Sequence, residues 1–251
     1  MENQKTLKNV KALTFDVFGT VVDWRGSVAR EIKTVGDKKG FKLDWEKFAD
    51  RWRKGYSPSM DKVRSGTIPW TNIDNLHRMI LEELLEEFGI TNLSEHEKEH
   101  LNKSWHRLDP WDDSVKGLTL LKQNYIISSL SNGNVALLVN MAKYAKLPWD
   151  TVLSAELVHH YKPDPETYLS TSTFLGIPIE QVMMVAAHKN DLKSAKTNGM
   201  KTAYVPRPLE HGTTTKTDLG FETYIDITAE DFIDLNNKLQ IIRNNNQPKN
   251  E

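Results

Sequence analysis

Short apolar segments rich in β-branched residues alternate with helical patterns along much of the chain. The clearest of them cover residues 10–15, 125–130, 182–187 and 202–205. Each runs into a polar or glycine-containing stretch that is followed by helix-like sequence. This alternation is typical of a parallel sheet covered by helices. The sequence therefore predicts an α/β fold with a doubly wound, mainly parallel sheet of the Rossmann-like type.

A long block after the first predicted strand has a helical period instead. From Leu76 to Phe88 the apolar residues recur with the spacing of one helix face, and Gly89 is a suitable stop. Asp44 precedes a second such pattern, which makes its carboxylate a candidate N-cap. Because no strand-like segment appears in this block, we interpret residues 22–108 as an all-helical insertion.

The insertion divides the chain into two predicted domains. The flanking segments 1–21 and 109–235 would form the α/β core, and residues 22–108 would form the second domain. The last residues, 244–251, are polar, and we expect them to be a frayed tail.

Composition and charge exclude several classes of protein. Hydrophobic residues make up 38% of the 251 residues, which is enough for a folded core. The net charge of −1 gives no general attraction to nucleic acids or to anionic membranes. The chain has no cysteine, which excludes disulfides and thiolate chemistry. No apolar stretch approaches the ~18 residues of a membrane-spanning helix, and no secretory leader is recognisable, so we expect a cytoplasmic protein.

Polar clusters follow the carboxyl ends of the predicted strands. Ligands of such sheets bind at these ends. The clusters are Asp16–Thr20, Ser131–Asn134, Tyr161–Pro165 and His188–Asp191. A carboxylate at Asp16 can act as a nucleophile, and a nearby ammonium group at Lys162 would keep it ionised. Hydroxyl and backbone N–H groups can bind an anionic part of a substrate. His188 or Asp191 can position a water molecule for a hydrolytic step.

The order of these motifs resembles a known superfamily. Asp-x-Phe-Gly-Thr at 16–20, Ser-Asn at 131–132, Lys-Pro-Asp-Pro at 162–165 and the late Asp191 resemble the four motifs of the haloacid dehalogenase superfamily. The resemblance covers about residues 10–208. It implies that the helical insertion is similar to the cap domain of that superfamily.

Two positions distinguish this chain from the Mg²⁺-dependent phosphatases of the superfamily. Those enzymes carry carboxylates where this chain has Phe18 and Ala187, and a hard divalent cation needs several oxygen ligands. The chain is instead similar to the L-2-haloacid dehalogenase branch, which works without metal. This resemblance implies no metal and no other cofactor.

The resemblance also implies an activity and a set of site residues. The activity is hydrolytic dehalogenation of short 2-haloalkanoic acids through an aspartyl ester, giving 2-hydroxy acids. The partner would be this small-molecule substrate, and a homodimer is compatible with the family. The catalytic residues would be Asp16, Arg53, Lys162, Asp191 and His188, and the substrate-binding residues Phe18, Thr20, Ser131, Asn132 and Tyr168. Arg53 matches the cap arginine by its position after Trp52, with Arg51 as the alternative.

Several departures leave other functions open. The branch commonly has tyrosine at the position of Phe18, and often serine and asparagine where this chain has Ala186 and His188. His188 either replaces the asparagine in directing the water or marks a different substrate. The alternatives are a hydrolase of another small substrate, such as a phosphate ester, and a catalytically idle binding protein.

The His-Glu-x-x-His pattern at 96–100 has polar flanks and favours a solvated helix face over a zinc site.

Overall fold

The computed structural model describes residues 6–213, 218–220 and 222–244. Residues 245–251 of the predicted tail lie outside the described residues. None of the helices within the described ranges is long and apolar enough to cross a membrane.

The main sheet confirms the predicted α/β architecture. The strands in chain order are β1 Ala12–Phe15, β2 Val22–Asp23, β3 Asp109–Pro110, β4 Ile126–Ser131, β5 Thr151–Ser154, β6 Val182–Ala186, β7 Lys201–Tyr204 and β8 Ile227–Thr228. Six of them form one sheet in the order β5-β4-β1-β6-β7-β8, and all neighbours in it run parallel. The order reverses at β1, which opens a crevice at the carboxyl ends of β1, β4 and β6.

The structure has nine helices within the described residues. They are α1 Trp24–Lys39, α2 Trp45–Arg64, α3 Ile73–Glu87, α4 Glu95–Asn102, α5 Ser114–Lys122, α6 Val135–Ala145, α7 Pro165–Leu175, α8 Lys189–Thr197 and α9 Phe232–Asn244. The first four lie between β2 and β3, within the predicted insertion, and the others alternate with the strands of the sheet.

Capping side chains explain where the predicted helices begin and end. The Asp44 carboxylate accepts a hydrogen bond from the Lys47 N–H at 2.9 Å, which confirms Asp44 as the N-cap of α2. Helix α3 begins a few residues before the predicted pattern because the Asn72 side chain caps its first turn. Its end is confirmed, since Gly89 follows with a φ of 66°, a left-handed conformation that favours glycine.

The shortest strands were not predicted. β2 pairs antiparallel with β3, so the two ends of the insertion lie side by side, and residues 22–23 are its non-helical beginning. β5 has four residues and β8 has two. A strand this short contains too few positions for a period to be recognised, and its neighbours in the sheet determine it. The domain boundaries at 22 and 108 stay a prediction.

The apolar core connects the sheet to the helical insertion. Leu13 and Phe15 of β1 belong to one buried cluster together with Trp52 of α2 and with Trp105. Ala12 points to the opposite face of the sheet, where it belongs to a second cluster. The insertion is therefore packed directly over the carboxyl end of β1, where the polar motifs emerge.

Candidate active site

The candidate site lies at the carboxyl ends of three adjacent strands. Asp16 follows β1 directly, and its N–H donates to the Val185 carbonyl of β6 at 3.0 Å. Ser131 is the last residue of β4. His188 immediately precedes α8, the helix that follows β6. Because parallel strands end at the same edge, residues far apart in sequence come together here, as predicted.

The two oxygens of the Asp16 carboxylate have different partners. Oδ2 accepts hydrogen bonds from Thr20 Oγ1 and from His188 Nδ1, each at 2.8 Å. Oδ1 lies 3.5 Å from the Lys162 ammonium nitrogen. Oδ2 is thus fixed by two short hydrogen bonds, whereas Oδ1 has a longer ionic contact and remains the more available nucleophile.

Lys162 connects Asp16 to a second carboxylate. Its Nζ is 2.7 Å from Oδ2 of Asp191, whose Oδ1 accepts a hydrogen bond from the Tyr168 hydroxyl at 2.7 Å. The side chains of Lys162 and Asp191 are 8% and 11% exposed, so water screens this pair little. One ammonium group therefore lies between two buried carboxylates.

The surroundings move the pKa values of these carboxylates in opposite directions. Burial opposes ionisation of Asp16, but the charge of Lys162 and the hydrogen bonds from His188 and Thr20 outweigh it and lower its pKa. For Asp191, burial and the nearby Asp16 charge prevail over Lys162, and its pKa is raised. As the pH falls, Asp191 therefore takes up a proton before Asp16 does.

The sequence did not reveal Glu210, the second partner of His188. The Nε2 atom of His188 is 3.0 Å from both carboxylate oxygens of Glu210. Burial opposes protonation of His188, but its hydrogen bonds to Asp16 and Glu210 outweigh this effect and raise its pKa to about 10. The pKa of Glu210 is lowered, because the hydrogen bond from His188 outweighs burial. Near neutral pH, His188 is therefore an imidazolium between two carboxylates.

A cavity of about 550 Å³ opens above Asp16. The predicted site residues that line it are Asp16, Phe18, Arg53, Ser131, Asn132, Lys162, Tyr168, His188 and Asp191. Thr20 is the exception: it is fully buried, and its hydroxyl donates to Asp16 and accepts from the Ala187 N–H. The prediction that Thr20 binds substrate is therefore corrected, because both roles of this hydroxyl are already taken by the protein.

Arg53 reaches the cavity from α2 through an aromatic surround. The centre of its guanidinium group lies 4.3 Å from the ring of Tyr56, 5.7 Å from Trp24 and 5.9 Å from Phe18. Its Nη1 atom is buried and has no hydrogen-bond partner among the described residues. Arg51, the alternative, instead pairs with Glu87 at the surface. The guanidinium group of Arg53, and not that of Arg51, therefore lines the cavity.

Two polar side chains at the end of β4 are oriented by the backbone. Ser131 Oγ accepts a hydrogen bond from the Gly133 N–H at 3.2 Å, which leaves its hydroxyl proton available. The side-chain oxygen Oδ1 of Asn132 accepts a hydrogen bond from the backbone N–H of Lys162 at 2.7 Å, and this contact turns the amide NH₂ toward the sulfur of Met60. A sulfur atom is a weak acceptor, so the amide retains donor capacity for a ligand.

The positions that hold a metal in related phosphatases are occupied by other groups here. Phe18 is buried and packs edge-on against Tyr56 and Trp105. Among the described residues, no group of three or more histidine or acidic side chains could hold a metal ion. The positive charge between Asp16 and Asp191 is the ammonium group of Lys162.

The His-Glu-x-x-His pattern lies on α4, away from this cavity. Both His96 and His100 are exposed, and the groove that they line lies between α1 and α4. These histidines occupy the solvated helix face that the polar flanks indicated.

Replacing Lys162 tests the electrostatics of this site without a substrate. In Lys162→Met we expect a proton to bind to the Asp16–Asp191 pair at higher pH, because two buried carboxylates would lose their shared cation. The carboxyl ¹³C shifts of aspartate-labelled protein, followed between pH 4 and 8, report this titration. Lys193→Met is the matched control, since Lys193 lines the same cavity at an exposed position. Identical titrations in both variants would contradict the assigned role of Lys162.

Comparisons with known proteins identify the family of this chain. The sequence profile of the haloacid dehalogenase-like hydrolases matches residues 10–199. A curated relative, (S)-2-haloacid dehalogenase 4A of Burkholderia cepacia, is 28% identical over 207 residues, which cover 79% of this chain and 84% of the relative.

Two solved structures are more similar. The crystal structure of an L-2-haloacid dehalogenase is 44% identical, with a TM-score of 0.86 and coverage of 92% of this chain and 99% of the other. That of a defluorinating L-2-haloacid dehalogenase is 45% identical, with a TM-score of 0.89 and coverage of 92% and 95%. The resemblance inferred from the four motifs is thereby confirmed, and the chain belongs to the haloacid dehalogenase-like hydrolase family.

Proposed function

We propose that this enzyme removes halide from short 2-haloalkanoic acids by hydrolysis, without metal, through an ester of Asp16. The observation that carries the proposal is the Asp16 carboxylate, beside the Lys162 ammonium group, at the base of a cavity that Arg53 also lines. The relatives named as (S)-2-haloacid and L-2-haloacid dehalogenases support the same substrate class.

In the first step, Oδ1 of Asp16 attacks the carbon that bears the halogen. The new C–O bond forms as the carbon–halogen bond breaks, and halide departs with the bonding electron pair. Lys162 keeps Asp16 ionised for this attack. Oδ1 is the better nucleophile of the two oxygens because the hydrogen bonds from Thr20 and His188 are made to Oδ2.

The departing halide develops negative charge, which Arg53 stabilises. Its guanidinium group is surrounded by the rings of Tyr56, Trp24 and Phe18, and it carries an unpaired buried N–H group. In such a surround a cation interacts strongly with an anion, because little water competes. The same aromatic walls suit a carbon–halogen group better than a phosphate ester.

The substrate carboxylate is bound by donors at the end of β4. The Ser131 hydroxyl and the Asn132 amide are the side-chain donors that the backbone has already oriented. With the carboxylate held there, the halogen of a two-carbon or three-carbon acid extends toward Arg53. This arrangement limits the proposal to acids that carry halogen next to the carboxylate.

In the second step, water attacks the carboxyl carbon of the Asp16 ester and releases a 2-hydroxy acid. We assign the activation of this water to Asp191, one of the two residues that the sequence predicted for this step. The raised pKa of Asp191 suits a group that accepts a proton. His188 contacts Oδ2 of Asp16, whereas Lys162, the partner of Asp191, contacts Oδ1.

Halide release from chloroacetate and 2-chloropropionate tests the proposed activity and its independence of metal. We expect equal turnover with and without EDTA, because Lys162 supplies the positive charge beside Asp16. Asp16→Asn is the control for chemistry at the nucleophile and should release no halide. Activity that disappears in EDTA and returns with Mg²⁺ would contradict metal independence, and a lack of halide release would contradict the substrate class.

Arg53→Ala tests the assignment of the halide site. We expect a loss on the order of 10²-fold in kcat, since Arg53 stabilises charge that develops in the transition state. Arg51→Ala on the same helix is the matched control and should be close to wild type, because an exposed ion pair such as Arg51–Glu87 contributes little. Comparable losses in both variants would show that the effect comes from α2 rather than from the halide site.

A further inference from the structure

The two hydrogen bonds to Oδ2 of Asp16 are placed to act in the second step of the proposed reaction. If Oδ1 forms the ester bond, Oδ2 becomes the ester carbonyl oxygen. When water attacks the carboxyl carbon, the electron pair of that C=O bond moves onto Oδ2. Thr20 Oγ1 and His188 Nδ1 already donate to this atom at 2.8 Å each. Preorganised donors at about 2.7–3.1 Å from a developing oxyanion are the known means of stabilising it.

We propose that His188, as an imidazolium, and Thr20 form the oxyanion hole for hydrolysis of the Asp16 ester, and that Glu210 is the positioning residue that keeps His188 oriented and charged. This inference rests on the proposed function, because it concerns the second half of that reaction. It assigns His188 the role of a donor to Asp16 rather than that of a base for water.

Glu210 is held in a site built around its carboxylate. Its side chain is 7% exposed, and Oε1 accepts a hydrogen bond from the Trp24 indole N–H at 3.1 Å in addition to its contact with His188. A Cβ atom at Gly19 would lie 2.1 Å from Oε1. The absence of a side chain at Gly19 therefore gives Glu210 the room to approach the back of His188.

Two carboxylates favour the protonated form of His188 before the ester forms, and Glu210 is the one that remains afterwards. The charged and titratable groups that line its two adjoining cavities are Asp16, Arg53, Tyr56, Lys162, Tyr168, Asp191, Lys193, Lys189, Tyr204, Arg207, Glu210, His211 and Asp218. Within the described residues, the imidazole makes ion pairs with Asp16 and Glu210. The neighbouring cations Lys189 and Arg207 are paired with Asp218 and Asp113.

Ester formation removes one of the two negative charges that hold the proton. Asp16 becomes a neutral ester, and its carbonyl is a weaker acceptor than a carboxylate. Glu210 then remains as the anionic partner of the imidazolium. Without it, a partly buried imidazolium would lose its proton more easily, and the ester carbonyl would lose a charged donor.

The step balances without a further reactant. The water oxygen bonds to the Asp16 carboxyl carbon, and the bond from that carbon to Oδ1 breaks when the tetrahedral intermediate collapses. Oδ1 leaves as the 2-hydroxyl oxygen of the product and takes one proton. The other water proton is released when the Asp16 carboxylate is regenerated.

Rapid-quench kinetics of Glu210→Gln with 2-chloropropionate test this inference. We expect a halide burst of about one equivalent per active site, accumulation of an Asp16 adduct detectable by mass, and ester hydrolysis slowed about tenfold or more. Hydrolysis in this variant should slow further from pH 6 to 9 as the imidazolium loses its proton, while the wild type stays level. Glu222→Gln, outside both cavities, should behave as wild type.

The possible outcomes separate the two proposals. Hydrolysis that accelerates with pH in Glu210→Gln but stays level in the wild type would make His188 a base and overturn the inference, as would rates equal to those of Glu222→Gln. A wild-type enzyme that forms no Asp16 adduct would refute the proposed function itself. If Glu210→Gln does not fold, ¹⁵N NMR of the histidine-labelled wild type replaces this test. We expect both ring nitrogens of His188 to be protonated at pH 8. A neutral ring at this pH would overturn the inference.

Discussion

The site depends on keeping a buried carboxylate ionised. Asp16 is 13% exposed, and a carboxylate with so little water is stable as an anion only when cations and hydrogen bonds replace that water. Lys162 and His188 provide this compensation from separate segments of the chain. They can do so because β1 lies between β4 and β6, so that the loops after all three strands meet at one edge.

The two oxygens of Asp16 have different partners on two sides of the site. On the Oδ1 side, Lys162 and Asp191 form a coupled pair next to the cavity. On the Oδ2 side, His188 and Glu210 form a second one. The helical insertion reaches both sides, since Arg53 from α2 lines the cavity and Trp24 from α1 donates to Glu210. The packing of the insertion against the sheet thus positions residues for both halves of the proposed cycle.

Strand ends made much of this site predictable. Asp16, Lys162 and His188 each follow an apolar segment or a recognisable motif, and parallel strands bring such positions together. Glu210 follows no such rule, because it lies in the loop between β7 and β8 and reaches His188 only in three dimensions. Thr20 was predicted as a site residue, but the sequence could not reveal that its hydroxyl donates to Asp16 and accepts from the Ala187 N–H.

A single-turnover reaction in ¹⁸O-labelled water, with enzyme in excess over 2-chloropropionate, tests the central claim most directly. If Asp16 forms an ester that water attacks at the carboxyl carbon, the label enters Asp16 and the first 2-hydroxy acid released carries ordinary oxygen. Mass spectrometry of the peptide that contains Asp16 and of the product measures both. Label that appears directly in the product and never in Asp16 would mean that water attacks the substrate itself, with Asp16 as a general base.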